Sequence, residues 1–378
     1  MGVELRPFGV ACNLACTYCY QNPLREAGNL RQSYDMAKMK AALDREGSRF
    51  ILFGGEPLLM KLADLEELLA YGHARHGGSG VQTNGVLIND AHVALFKRYN
   101  VQVGISIDGP DELNDARADR KRAGTRHSTA AVQAAIERLC REHQPPGLIV
   151  TLHRGNASAA MLPRMFDWMR ELDAAGVRSA RLHLLEVDDA TTRDTLALSV
   201  RENVAAILGF ARLQDELKGL RFDLIEEMKR LLSGDERGVS CVWRACDPLA
   251  TAAVRGIEGN GQSSNCGRTN KDGVDYLKAD SSGYERSIAL YHTPQAYGGC
   301  HGCRFFLMCK GQCPGTAIGG DWRNRTEHCA IWMALFATIE NQLIRAGETP
   351  LSIHPLREQR EIAALSRWGT QTRVEVRA

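Results

Sequence analysis

The chain has 378 residues, 44% hydrophobic and 24% charged, with a net charge of +2. That length and apolar content support two or three domains with sizeable cores. The near-neutral balance gives no footing for nucleic acid or a membrane surface as partner, and no apolar run approaches the roughly 20 residues a membrane helix needs.

The first residues, Met1 to Phe8, lack a basic stretch followed by an apolar one, so a cytoplasmic location is expected. In that compartment the twelve cysteines read as metal ligands or redox groups, not disulfides. Three lie between 12 and 19 and eight between 241 and 329. Cys140 stands alone and reads as a small buried helix residue.

Residues 1–197 alternate strand-like and helix-like segments. Short runs rich in Val and Ile predict strands at Val3–Phe8, Arg49–Phe53, Gly80–Asn84, Val101–Asp108, Leu148–His153 and Arg181–Leu185. Helical periodicity marks Met36–Leu43, Leu62–Tyr71, Asp90–Tyr99, Thr129–Cys140 and Ala159–Ala174. This alternation predicts an α/β fold, a parallel sheet with helices outside that can close or nearly close into a TIM-like barrel. In such a barrel the chemistry sits at the C-terminal ends of the strands.

Residues 198–235 read as one or two amphipathic helices bridging two domains, stopped by Ser233-Gly234-Asp235. Residues 236–335 change character: glycine becomes frequent, periodicity fades and cysteines dominate. Such a segment buries little apolar surface, so bound metal must supply much of its folding free energy. Residues 336–378 continue a helix and end in an arginine-rich tail.

The polar and glycine-rich motifs of the first half fall at strand ends. Cys12, Cys16 and Cys19, spaced CxxxCxxC, follow the first strand, and Gly54-Gly55-Glu56-Pro57 follow the second. Thr83-Asn84-Gly85 end the third, and Ser106-Ile107-Asp108-Gly109 end the fourth. Three closely spaced thiolates can hold three irons of a [4Fe–4S] cluster and leave the fourth open for chemistry. A zinc knuckle is the competing reading.

The cysteine spacing, with Tyr18 just before the third cysteine, resembles the radical S-adenosylmethionine (SAM) superfamily. The resemblance implies a partial (β/α)6 barrel and a cluster at Cys12, Cys16 and Cys19 that reductively cleaves SAM to a 5′-deoxyadenosyl radical. That radical takes a hydrogen atom from the substrate. Gly54, Gly55 and Glu56 look like the glycine-glycine-glutamate motif that meets the SAM amino group. Ser106 and Asp108 resemble the segment near the ribose, with Ser106 preferred as the contact. Arg117 resembles the arginine that pairs with the SAM carboxylate, and Arg120 competes for that role. Thr83 and Asn84 fit a strand end lining the cavity, while His153 and Leu184 end strands five and six and are placed against adenine or substrate.

The second cysteine set, Cys241, Cys246, Cys266, Cys300, Cys303, Cys309, Cys313 and Cys329, resembles the SPASM extension of radical SAM enzymes. By that resemblance one cluster takes Cys241, Cys246, Cys266 and Cys313, and another takes Cys300, Cys303, Cys309 and Cys329. Three [4Fe–4S] clusters and SAM are therefore the expected cofactors. Two four-cysteine zinc sites are the alternative.

SPASM relatives mostly modify peptides or proteins, so hydrogen abstraction from a peptide, leaving a crosslink or an oxidised residue, is the expected activity. A small metabolite is the alternative substrate, and a cluster-bearing electron carrier without turnover is the remaining one. Gly267, directly after Cys266, departs from the aspartate that sulfatase-maturing relatives carry there as base. With the first cluster cysteine at position 12, a separate leader-recognition protein is expected, or a substrate without a leader. A flavodoxin or ferredoxin is the expected reductant. Between Cys266 and Cys300, the titratable residues Asp272, Asp275, Tyr276, Lys278, Asp280 and Tyr284 are weak candidates for a catalytic acid or base.

Overall fold

The computed structural model describes residues 2–26, 33–248, 254–269 and 284–371. The chain divides into two compact units. The first spans Met1–Asp223 with Arg255–Ser263, and the second spans Leu224–Val254, Ser264–Asn270 and Val274–Ala378. The three residues Lys271–Gly273 are grouped with the first unit and lie outside the described residues.

The first unit is built on parallel strands: β1 (Val3–Arg6), β2 (Phe50–Leu52), β3 (Ser79–Thr83), β4 (Val101–Ser106), β5 (Gly147–Leu152) and β6 (Ser179–Leu184). They lie side by side in chain order, each reached through a helical crossover. Two further strands extend the sheet at opposite edges. β7 (Arg221–Phe222) pairs with β6, and β8 (Arg255–Glu258) pairs with β1 along Val3 to Arg6. A two-residue strand, β9 (Ser263–Ser264), ends the order next to β8. The parallel α/β sheet expected from the sequence is present.

Each expected strand overlaps an observed one and runs one or two residues past its C-terminal end, while those expected at Gly80, Leu148 and Arg181 begin one or two residues late. Val101–Asp108, for example, pairs only to Ser106, and Ile107 and Asp108 belong to the loop beyond the ladder. The three added strands escape a reading of pattern because β7 and β9 have two residues each and β8, Arg-Gly-Ile-Glu, contains a single large apolar residue. Their pairing comes from tertiary placement. The 198–235 segment forms two helices, Val200–Glu216 and Asp223–Leu232, with β7 between them.

The sheet core follows the two-residue period of strands. Leu148, Val150 and Leu152 of β5 are buried, with half-buried residues between them. The flanking helices offer Leu65, Leu68 and Leu69, and Val132, Ile136 and Leu139, at helical spacing. Cys140, expected to be buried, is half-exposed at the end of the Thr125–Arg141 helix.

The second unit is helical and irregular. Its core gathers Trp243, Phe305, Trp332 and Phe336, with Trp243 edge-on to Trp332 and to Phe336 and Phe305 stacked on Phe336 at 5.3 Å. Among the described residues no helix is long and apolar enough to cross a membrane.

Candidate active site and cysteine clusters

The loop after β1 carries Cys12, Cys16 and Cys19 and is pinned from two sides. Ala15 N–H donates to Ala118 O and Thr17 N–H to Ala116 O, each at 2.8 Å. From the end of β2, Gly55 N–H donates to Gly9 O and Glu56 N–H to Ala11 O, also at 2.8 Å. Glycine is required at both positions. A Cβ on Gly54 would stand 2.6 Å from Gly9 O, and one on Gly55 would stand 1.9 Å from Ala11 O. The motif's glycines thus let the β2 end press against the cysteine loop itself.

Glu56 is fully buried and braces three segments. Its Oε1 accepts from Leu58 N–H at 2.9 Å and from the Thr83 hydroxyl at 2.7 Å, while Oε2 accepts from Asn84 N–H at 2.8 Å. Burial pushes its carboxyl up from the ordinary value against the pull of these donors. A carboxylate offers about four acceptor sites, so Oε2 keeps one for a further cation. The Asn84 amide continues the chain of contacts, donating to Asn13 Oδ1 at 2.7 Å and to Cys12 Sγ at 3.7 Å.

Asp108 is the second hub. It is fully buried beyond β4 and accepts from the Tyr18 hydroxyl and, at 3.0 Å, from Thr151 N–H. Arg117 Nη1 lies 3.0 Å from the Tyr18 hydroxyl and 3.8 Å from Asp108 Oδ1. Burial alone would raise the Asp108 carboxyl, but Arg117 first, then His153 and Tyr18, hold it below the ordinary value. His153 Nδ1 accepts from Gly155 N–H, which puts the proton of a neutral ring on Nε2, 3.6 Å from Asp108 Oδ2. His153 also caps the short helix Arg154–Ala157.

Arg117 and Arg120 occupy different surroundings. Arg117 is half-buried, its side chain 13% exposed, beside Tyr18 and Asp108, whereas exposed Arg120 donates to the Cys12 carbonyl at 2.5 Å. Ser106, preferred from sequence as the ribose contact, is half-buried and accepts from Gln82 Nε2 at 2.9 Å. Leu184 is buried at the end of β6. Burial pushes the Cys16 thiol up to about 12, with Arg117 opposing and Cys19 and Cys12 adding to it. Sequence reasoning missed three partners. Asn13 has no motif to mark it, Asn156 bridges Asp108 O and Thr151 O, and Arg25 donates to Cys19 Sγ at 2.9 Å.

In the second unit, Cys300, Cys303, Cys309 and Cys329 line one small cavity with Phe305, Phe306, Trp332 and Phe336. Burial pushes Cys300 up to about 12, and the neighbouring Cys303 and Cys329 add to it. Cys246 is buried and Cys241, Cys266 and Cys313 are half-buried. Among the described residues no group of three or more His, Cys, Asp or Glu side chains is gathered closely enough to hold a single metal ion. His301 is exposed, and burial takes His328 down to about 4. Tyr284 stacks on Trp368 at 5.6 Å. Asp272, Asp275, Tyr276, Lys278 and Asp280 lie outside the described residues.

Residues 7–160 match the family described as the Radical SAM superfamily. Over that segment the chain is similar to radical SAM proteins. It is 33% identical over 210 residues to a serine-type anaerobic sulfatase-maturating enzyme of Klebsiella aerogenes, covering 52% of this chain and 50% of that protein. The match therefore spans about half the length of that curated relative. In fold the chain resembles native anSMEcpe with bound AdoMet and Cp18Cys peptide, at TM-score 0.68 and 18% identity, covering 91% of this chain and 98% of that one. It also resembles Streptococcus suis SuiB bound to precursor peptide SuiA, at TM-score 0.54 and 16% identity, covering 87% and 76%. Both structural likenesses concern the fold.

Radical SAM enzymes bind a [4Fe–4S] cluster and SAM, and the donors present fit both groups. Three thiols share one loop of the matched segment, and a carboxylate and a guanidinium nearby have the charges that an amino acid's amine and carboxylate would need. The four-thiol cavity of the cysteine-rich unit offers the same donor chemistry with a full set of four ligands.

Proposed function

We propose that the chain is a radical SAM enzyme that modifies a peptide side chain by hydrogen-atom abstraction, leaving a crosslink or an oxidised residue. The observation that carries this reading is the linkage of the cysteine loop to the ends of β2, β3, β4 and β5 through the hubs Glu56 and Asp108. Cys12, Cys16 and Cys19 hold a [4Fe–4S] cluster with one open iron. Two further clusters, with four cysteines each, lie on Cys241, Cys246, Cys266 and Cys313 and on Cys300, Cys303, Cys309 and Cys329. With these groups bound, the chemistry supplied is one-electron cleavage of SAM and hydrogen abstraction by the nucleoside radical.

The chain's own residues position the reactants. Glu56 Oε2 takes the SAM ammonium, supported by Thr83 and Asn84, and Arg117 takes the carboxylate with its Nη2 while Nη1 stays on Tyr18. Asp108 keeps Arg117, Tyr18 and His153 in place. Ser106, His153 and Leu184 line the nucleoside or substrate side. Flavodoxin or ferredoxin supplies electrons, and a separate leader-recognition protein presents the peptide where it has a leader.

A sulfatase peptide is the second substrate reading, favoured by the Klebsiella relative. Gly267, where an aspartate base is expected, is the departure that ranks it second. The test is anaerobic reconstitution followed by quantification of 5′-deoxyadenosine with a candidate precursor peptide, with a sulfatase-derived peptide, and with none. Deuterium transfer from a precursor peptide supports the first reading and from a sulfatase peptide the second. Turnover that neither peptide raises above the peptide-free control overturns both.

A further inference from the structure

Arg286 is the most unusual charge in the cysteine-rich unit. It sits in the first turn of the Glu285–His292 helix and is 1% exposed. All five of its hydrogen bonds go to backbone carbonyls. Nε donates to Trp322 O at 2.5 Å, Nη1 to Cys246 O at 3.3 Å and Gln312 O at 3.1 Å, and Nη2 to Gly311 O at 3.5 Å and Asn324 O at 2.7 Å. Among the described residues it forms no salt bridge with a carboxylate. Buried guanidinium groups are ordinarily paired, because an isolated ion in a low-dielectric interior is costly.

Three of its carbonyl partners lie in or beside the two four-cysteine sets. Cys246 is a member of one set. Gln312 precedes Cys313 of that same set, and Gly311 lines the cavity of Cys300, Cys303, Cys309 and Cys329. The connecting residues Lys310, Gly311 and Gln312 all take left-handed conformations, with φ of 51°, 76° and 58°. Three such residues in succession persist only where their surroundings hold them, and Arg286 bonds two of their carbonyls. The anionic groups facing the guanidinium are Cys246, Cys313, Cys300 and Asp247. Lys310, the other buried cation of this loop, differs in having a carboxylate partner, Glu236, at 2.9 Å.

We propose that Arg286 is the shared counter-cation of the two four-cysteine sites and raises the reduction potential of the clusters they hold. This rests on the reading of those sites as iron–sulfur centres. A cluster with four thiolates is a net anion, and adding an electron deepens its charge. A fixed cation in a poorly screened interior favours the reduced state, since net charge and local donors set cluster potentials.

The test is a redox titration followed by electron paramagnetic resonance on the reconstituted full chain, comparing wild type, Arg286→Gln and Arg286→Lys, with iron counted in each. Arg286→Gln is expected to lower the fraction reduced at a fixed potential by about tenfold for both auxiliary clusters, which is 59 mV for one electron. Arg286→Lys keeps the charge and stays near wild type, and the N-terminal cluster does not move. Loss of the auxiliary irons in the glutamine variant, with retention in the lysine variant, also supports the proposal. Equal effects of the two variants, or no shift in either, assign Arg286 to backbone tethering and overturn it. A wild-type chain that binds only about four irons sinks the cluster reading itself and the counter-cation with it.

Discussion

The two cysteine-bearing regions hold their thiols by different means. In the first unit the cysteine loop is seated by backbone hydrogen bonds to Ala116 and Ala118 on one side and by Gly55 and Glu56 on the other. Gly55 and Glu56 follow a strand of a parallel sheet with a large apolar core, so the loop's shape follows from the fold around it. In the second unit four thiols face a common cavity among aromatic rings, beside left-handed turns and buried cations. On the proposed reading, a cluster bound there would supply much of the order, because ligation converts binding free energy into folding free energy. The difference teaches that one loop takes its shape from the sheet behind it, while under the proposed function the other region would take much of its shape from the groups it holds.

The largest effect that bears on this contrast is expected from Cys16→Ala. Removing one of only three ligands should abolish SAM cleavage while leaving roughly eight of about twelve irons, a ligand-count expectation checked by 5′-deoxyadenosine and iron assays. Retained cleavage would show that the N-terminal loop is not the reactive site. Metal removal comes next. After chelation, hydrogen exchange should rise sharply across residues 241–329 and little in β1 to β6; uniform loss of protection would erase the distinction between the regions.

Phe336→Ala, which strips the ring stacked on Phe305 and lining the cavity, should destabilise the loaded protein by about 3–5 kcal/mol. The corresponding fall in thermal midpoint should be smaller in the chelated protein, where that core is already loosened. The smallest effect is on pH. The Asp108 carboxyl is held below its ordinary value, so its contribution is full above the unfolded pKa of about 3.9 and is lost as pH falls through the lower folded value. Denaturant midpoints should therefore carry an Asp108 component that disappears only below about pH 4 and is absent in Asp108→Asn.

Much of this arrangement is legible in the chain because its signals are local. The CxxxCxxC spacing, the paired glycines before Glu56 and the alternation of apolar strands with amphipathic helices each lie within a few turns of backbone, where steric and hydrophobic rules operate directly. They foreshadow the parallel sheet and the gathering of motifs at its strand ends. The strand ends themselves were overextended, since apolar residues such as Ile107 continue past the last ladder bond.

Other features depended on partners far apart in the chain. Arg117 and Arg120 are near neighbours with the same chemistry, yet packing half-buries one beside Asp108 and leaves the other on the Cys12 carbonyl. β8 becomes a strand because β1 offers it an open edge. Arg286 carries no motif at all, since its partners are carbonyls spread from Cys246 to Asn324. The amino-acid order alone determined the six central strands, the helices between them and the grouping of Cys12, Cys16 and Cys19 on one loop, because those outcomes rest on short-range geometry. Only tertiary structure decided which charges are buried and what they face, because desolvation and Coulomb energy depend on everything brought near in space.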